Sequence, residues 1–323
     1  VVFKSTVITF GGLGARGLAG ELWRCDLPQA TWRRVDARGT APAARAAHTA
    51  VVHGDHMYIF GGHGRDARGR SAVLGDCHRL DLRQAKWEPV VRPGDAPCAR
   101  CSHSAVLCDG ALYIFGGEGL QADGPAGGRE STGATTTVSP GSGGGGGGVG
   151  DTPRFRMLGD LKFLPLEESL EEGRRRERRA ADADAPAADG AAPADGEADA
   201  GGWVAVKPQG ASPCARSGAA AASLGRCLFI VGGWDASKRE LNDLWEFNAP
   251  ARRWARIDAP NAPSPRTCAA LVALPERLLL FGGCDARQPF ATLHEYRPRP
   301  ATARGRDLFG PGAGGVVGGG WAP

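Results

Sequence analysis

The chain has 323 residues, a formal net charge of +4 and nine cysteines. So small a charge gives no ground for a nucleic-acid partner, and an odd set of cysteines without framework spacing points to reduced thiols in a cytoplasmic or nuclear setting. No apolar run approaches the length of a membrane-spanning helix; the nearest, at 219–233, is broken by Arg226.

In chain order, the first unit enters almost at once. Val1–Phe3 is all that stands for its first strand, and the apolar run VITFGG follows, ending at Gly11 and Gly12. A second apolar segment, ELWRCDL at 21–27, leads to Trp32. A proline loop then delivers Arg45 in PAARAAHTAVV, and a new apolar run ends at Gly61 and Gly62. LGDCHRLDL at 74–82, Trp87 and Arg100 in PCARCSHSAVL bring the chain to Gly116 and Gly117. LGDLKFLPL at 158–166, Trp203 and Arg216 in PCARSGAAAAS precede Gly232 and Gly233. LNDLWEFN at 241–248, Trp254 and Arg266 in PSPRTCAALVA precede Gly282 and Gly283. ATLHEYRP at 291–298 closes the series, with Trp321 after a glycine-rich stretch. Because the chain opens at Val1 and not at Met, it reads as a piece of a longer protein.

The second glycines of successive pairs are 50, 55, 116 and 50 residues apart. Each segment is short, rich in β-branched and aromatic residues, and bounded by Gly, Pro, Asn or Asp, which is the strand signature. Each unit thus has four strands: a after the arginine, b at the glycine pair, c at the second apolar segment and d at the tryptophan. Four antiparallel strands per ~50 residues make one blade of a β-propeller. Glycine suits the pair because it permits positive φ and close backbone approach. Trp32, Trp87, Trp203 and Trp254 are expected as core between neighbouring blades.

The long gap holds one c segment, one tryptophan and one proline–arginine segment, so it is one blade with two insertions, at about 118–157 and 167–201. Both are poor in large apolar residues and are expected to be disordered. A short helix at about 166–181 and a basic patch, RRRERR, fall within or beside the second. The units run roughly 1–41, 42–96, 97–212, 213–262 and 263–323. The expected fold is all-β: about five four-stranded antiparallel blades, part of a larger propeller.

The glycine pairs, the spaced tryptophans and the Arg-X-X-His/Ser of strand a occur together and in order. In this the chain resembles the kelch-repeat family over nearly its whole length outside the insertions. His48 and His103 keep the family's histidine; Ala219 and Ala269 replace it. The resemblance implies a propeller that recognises other proteins. The expected function is a non-catalytic protein–protein interaction scaffold. A ubiquitin-ligase substrate receptor is the alternative, and a propeller enzyme such as a metal-dependent oxidase a remoter one.

Several motifs invite chemistry and lose it on inspection. Gly12, Gly14 and Gly17 match the dinucleotide fingerprint, but a strand follows where that fingerprint needs a helix, and near-copies recur after Gly62 and Gly117. The glycines at 143–148 lack the following Gly-Lys-Ser/Thr of a P-loop. Cys98, Cys101, His103 and Cys108 are zinc-ligand types without a second close pair, and Cys98 sits in the slot that Cys214 fills later. His53, His56 and His63 read as surface histidines. Tyr58 and Tyr113 share one b-strand position, which is a packing position, and Tyr296 lies in a c strand. No enzyme, metal or cofactor is therefore expected.

Strands that alternate direction send the b–c and d–a connections to one face. The b–c connections carry Arg16, Arg65, Arg68, Arg70, Arg129, Lys238, Arg239 and Arg287, and guanidinium groups suit bidentate capture of carboxylates. A protein partner presenting an acidic peptide is expected there, with Arg16, Arg65, Arg68, Arg70, Arg239 and Arg287 as contacts; no membrane is expected as a partner. Asp36, Asp66, Asp95, Asp235 and Asp285 dilute the field. Arg45, Arg100, Arg216 and Arg266 recur at one position and are expected to hold adjacent loops through backbone carbonyls.

Overall fold

The computed structural model describes residues 1–120, 155–166, 201–298 and 320–322. Among them the chain forms five blades in succession and no helix. Blade 1 has strands a to d at Val2–Phe3, Thr6–Gly14, Gly17–Asp26 and Thr31–Val35. Blade 2 has them at Thr49–His53, His56–Arg65, Ser71–Asp81 and Lys86–Pro89. Blade 3 uses Ser104–Cys108, Ala111–Phe115, Leu161–Pro165 and Val204–Val206. Blade 4 uses Ala220–Leu224, Cys227–Val231, Leu244–Asn248 and Arg253–Ile257. Blade 5 uses Ala270–Leu274, Arg277–Phe281, Leu293–Arg297 and Gly320–Ala322. The a strands of blades 2 to 5 touch one another in turn and are therefore innermost.

Three features depart from the plain four-strand unit. First, Arg38–Gly39 runs parallel to strand d of blade 2, so the linker from blade 1 adds a fifth strand to the next blade's outer edge. Gly94 beside Trp203 and Gln209 beside Arg253 repeat that parallel bridge in blades 3 and 4. Second, strand b does not stop at the glycine pair. In blades 1 and 2 it continues to Gly14 and Arg65 through a bulge between Phe10 and Gly12 and between Phe60 and Gly62. Third, the segment expected as an insertion at 118–157 begins and ends in paired strands, Glu118–Leu120 and Phe155–Met157. The rest of it, and the insertion and helix expected beyond 166, lie outside the described residues, as do RRRERR, the glycines at 143–148 and Arg129.

The core is divided among the seams between blades. Side chains alternate along a strand, so strand b of an inner blade serves two neighbours. Met57 and Ile59 of blade 2 pack with Ile8, Phe10 and Leu22 of blade 1. Tyr58 and Phe60 pack instead with Leu112 and Ile114 of blade 3. This double burial is why the b strands read as continuous apolar runs.

The tryptophan of each later blade reaches back across its seam. Trp87 meets Phe10 at 5.2 Å between ring centroids, Trp203 meets Phe60 at 5.6 Å and Trp254 meets Phe115 at 5.5 Å. Trp321, which the repeat spacing left without a clear role, is buried in the cluster shared by blades 4 and 5. Trp32 departs from the expectation. It is 51% exposed, because no described blade stands on the side to which blade 1 would turn it.

Candidate functional site

The face carrying the b–c and d–a connections is built on a latch repeated in blades 2 to 4 and altered in blade 5. Arg45 is fully buried. Its Nη1 donates to the Gly61 carbonyl at 2.9 Å and to Asp76 Oδ1 at 2.8 Å, and its Nη2 donates to Asp76 Oδ2 at 2.7 Å. Arg100 does the same with Gly116 and Asp160, and Arg216 with Gly232 and Asp243. The guanidinium thus ties strand b to strand c within its own blade by a bidentate, charge-assisted pair.

The backbone of the same arginine ties the blade to its predecessor. Gly12, Gly62, Gly117 and Gly233 donate their N–H groups to the carbonyls of Arg45, Arg100, Arg216 and Arg266 at 2.8–2.9 Å. A Cβ on Gly11, Gly61, Gly116 or Gly232 would lie 2.5–2.6 Å from those same carbonyls, and φ at each is close to +65°. Glycine is required there by the approach of the next blade. Gly282 has no following blade among the described residues, and its nearest such neighbour is the Phe290 carbonyl at 3.4 Å.

Two residues past each arginine, the chain takes a left-handed step at Ala47, Ser102, Gly218 and Cys268. These residues form a hydrogen-bonded arc about the axis. Ser102 N–H donates to the Ala47 carbonyl, Gly218 N–H to Ser102 and Cys268 N–H to Gly218, at 2.8–2.9 Å. Just ahead of strand a stand His48, half-buried, and His103, buried. Burial, with Arg45 second, pushes the His48 ring down to about 4; burial and the Arg100 charge push His103 down to about 3. His103 Nε2 pairs with Thr49 Oγ1 at 2.7 Å. Both histidines are neutral packing groups at neutral pH.

Blade 5 has a different latch. Thr292 stands where the other blades carry Asp76, Asp160 and Asp243. Arg266 is 3% exposed and donates to the Gly282 carbonyl, Thr292 Oγ1, the Ser264 carbonyl and Ser264 Oγ, with Phe290 stacked 4.5 Å from it. Among the described residues it meets no carboxylate, and burial lowers its pKa. In blade 2 the opposite holds: against the effect of burial, hydrogen bonds from His78 and Arg45 hold the Asp76 carboxyl well below the usual range.

All six arginines read as partner contacts are exposed and stand on b–c connections, but their side chains divide. Arg65 Nη1 donates to the Gly69 carbonyl, Arg70 pairs with Asp66, and Arg239 pairs with Asp235. Arg16, Arg68 and Arg287 have no side-chain partner among the described residues. The acidic residues beside them shape the loops. Asp66 Oδ1 accepts the N–H groups of Arg68 and Arg70, Asp235 Oδ1 those of Ser237 and Arg239, and Asp285 Oδ1 those of Arg287 and Gln288. These bonds hold the Asp66 and Asp285 carboxyls below their ordinary range.

On this face an open cleft of about 570 Å³ separates the approach loop of blade 3 from its c strand. Arg156, Lys162, Asp95, Cys98 and Asp160 line it, with Met157 and Leu158. Arg156 is exposed, and Lys162 bonds Asp95. Arg156 escaped the sequence reading because it falls in a stretch taken for an insertion. The latch aspartates escaped it too, although Asp recurs in LGDC, LGDL and LNDL. Cys101 and Cys108 are buried with raised thiol pKa values, chiefly from burial, while Cys98 is exposed. No group of three or more His, Cys, Asp or Glu side chains is placed to hold a metal among the described residues. No helix among them is long and apolar enough to cross a membrane.

Residues 1–124 and 197–304 match the model of the KLHDC2/KLHL20/DRC7 kelch-repeats domain. The chain is 26% identical to human kelch domain-containing protein 3 over 288 residues, covering 88% of this chain and 59% of that protein. It is 36% identical over 140 residues to acyl-CoA-binding domain-containing protein 5 of Arabidopsis thaliana, covering 43% of this chain and 19% of that protein. Over 119 residues it is 32% identical to the Drosophila melanogaster leucine-zipper-like transcriptional regulator 1 homolog, covering 36% of this chain and 12% of that protein. The chain spans less than two thirds of each of these relatives.

Proposed function

The chain belongs to the kelch-repeat family, and from that premise we propose that it is a non-catalytic interaction propeller whose b–c and d–a face takes an acidic segment of a partner protein. The observation that supports this is the placement of Arg16, Arg68 and Arg287. They are exposed, stand on the b–c connections of blades 1, 2 and 5, and have no side-chain partner among the described residues. An unpaired guanidinium presents a planar fork of donors to a carboxylate, and aspartate or glutamate side chains on an extended segment would meet several in turn. Arg156 extends the same field into the cleft of blade 3. Arg65, Arg70 and Arg239 already spend donors on their own loops and contribute less.

The test is equilibrium binding of a fluorescent acidic 12-mer to the wild-type chain and to the triple variant Arg16→Glu, Arg68→Glu, Arg287→Glu. The triple variant is expected to lose at least about tenfold in affinity, and wild-type binding to fall as salt rises. Equal affinity for the two proteins would overturn the acidic-segment reading.

A further inference from the structure

The residue directly after each glycine pair occupies one position in every blade: Leu13, His63, Glu118, Trp234 and Cys284. In blades 2 to 5 this residue pairs with the one just past the arginine that precedes strand a, as in His63 with Ala46 and Glu118 with Cys101. The four positions of blades 2 to 5 therefore border the hydrogen-bonded arc on the loop face. Their chemistry differs from blade to blade, which is how a repeat presents a specific surface on a common frame.

Glu118 is the ionisable member whose situation the fold does not explain. It is 8% exposed, and burial pushes its carboxyl pKa up. Across the seam its neighbour is Ser217 of blade 4, 1% exposed, whose hydroxyl reaches the carboxyl and offsets part of the effect of burial but meets no other hydrogen-bond partner. Neither nearby latch supplies a counter-charge. Arg100 spends its guanidinium on Asp160, Gly116 and Cys98, and Arg216 on Asp243, Gly232 and Cys214. Among the described residues Glu118 has no ion pair. A carboxyl held from water with no opposite charge beside it is costly, and an arriving donor of opposite charge reduces that cost.

We propose that Glu118, with Ser217 beside it, receives one basic side chain of the partner protein. A lysine or arginine has the right form: a long apolar stem that passes the rim and a charged end that meets the carboxylate, with the serine hydroxyl as a second acceptor. The inference rests on the loop face being the partner surface. It adds that the acidic segment carries a basic residue among its acidic ones, seated at the junction of blades 3 and 4.

The test uses three 12-residue peptides: one acidic, one acidic with a single central lysine, and one neutral with that lysine. Wild-type protein is expected to hold the lysine-bearing acidic peptide about tenfold more tightly than the lysine-free one. Glu118→Gln keeps shape and is expected to bind the two acidic peptides equally, with an unchanged or raised melting temperature. Ser217→Ala is expected to narrow the preference without abolishing it. Equal wild-type affinity for the two acidic peptides, or a preference that survives Glu118→Gln, would overturn the proposal. Failure of the rim arginines appears separately: the neutral lysine peptide would then bind as tightly as its acidic counterpart, still in a Glu118-dependent way.

Discussion

Trp254 and Trp32 occupy the same place in the repeat and meet opposite fates. Trp254 is 3% exposed, wedged against Phe115 and Phe247, whereas Trp32 is half in solvent. The far end of the arc mirrors this: Val272, Phe281 and Leu293 of blade 5 lie half exposed, on a side that no described blade covers. A kelch blade is thus an incomplete object. Its tryptophan needs the strand b of the blade before it, and its glycine pair needs the arginine carbonyl of the blade after it. Each seam carries its own core, so stability is distributed seam by seam, as in other repeat proteins.

Truncating the two tryptophans gives the widest contrast. Trp254→Ala removes a large ring from a packed seam and is expected to lose about 3–5 kcal/mol in denaturant melts, while Trp32→Ala is expected to lose under about 1 kcal/mol. Similar losses would mean that blade 1 is not an open face in solution.

The latches give the next contrast. Arg100→Leu strands Asp160, and because that carboxylate is partly exposed the loss is expected near the low end for a broken buried pair, about 3 kcal/mol. Arg266→Leu strands no carboxylate and is expected to cost about half as much. Thr292→Asp supplies the missing acid and is expected to stabilise blade 5 by about 1 kcal/mol, provided Arg266 is present. A Thr292→Asp gain that persists in an Arg266→Leu background would show that the counter-charge is not its origin.

How far the sequence revealed all this depends on what kind of signal each feature leaves. The five blades were legible because double burial makes each strand b an unbroken apolar run and because the inter-blade approach demands glycine at two adjacent positions. The fifth strand at Arg38–Gly39 left only a lone glycine, where a Cβ would collide with the Trp87 carbonyl, and one loop glycine has no apolar pattern to announce a strand. Trp32 was misread because the motif reports a blade's own shape and not whether a neighbour is present. Of the site, the exposed arginines were visible as residues, but their division into committed and uncommitted groups was not. That division depends on Asp66 and Asp235 folding back on Arg70 and Arg239. Glu118 was passed over because one acid among variable loop residues looks like any other until its burial is known.

The smallest contrast sets blades 2 and 3 against blades 4 and 5, where Ala219 and Ala269 replace His48 and His103. Both histidines have folded pKa values below the ordinary 6.5, at about 4 and about 3. The unfolded chain therefore binds more protons below about pH 6.5, so their stabilising effect is complete above that pH and is lost as pH falls toward 4 and 3. Between about pH 7.5 and about pH 6 each is expected to cost under about 1 kcal/mol. The double variant His48→Ala, His103→Ala is expected to show a flatter pH dependence over that range, read from melting temperatures; an unchanged slope would place the acid sensitivity elsewhere.

The claim that one face of the propeller is the working surface is tested most directly by hydrogen exchange with and without the lysine-bearing acidic peptide. The arrangement of the blades predicts slowed exchange in the b–c connections at 14–17, 66–70 and 285–288 and beside Glu118, with the a–b turns of the opposite face at 54–55, 109–110 and 275–276 unaffected. Protection confined to those opposite turns, or spread equally over both faces, would contradict it.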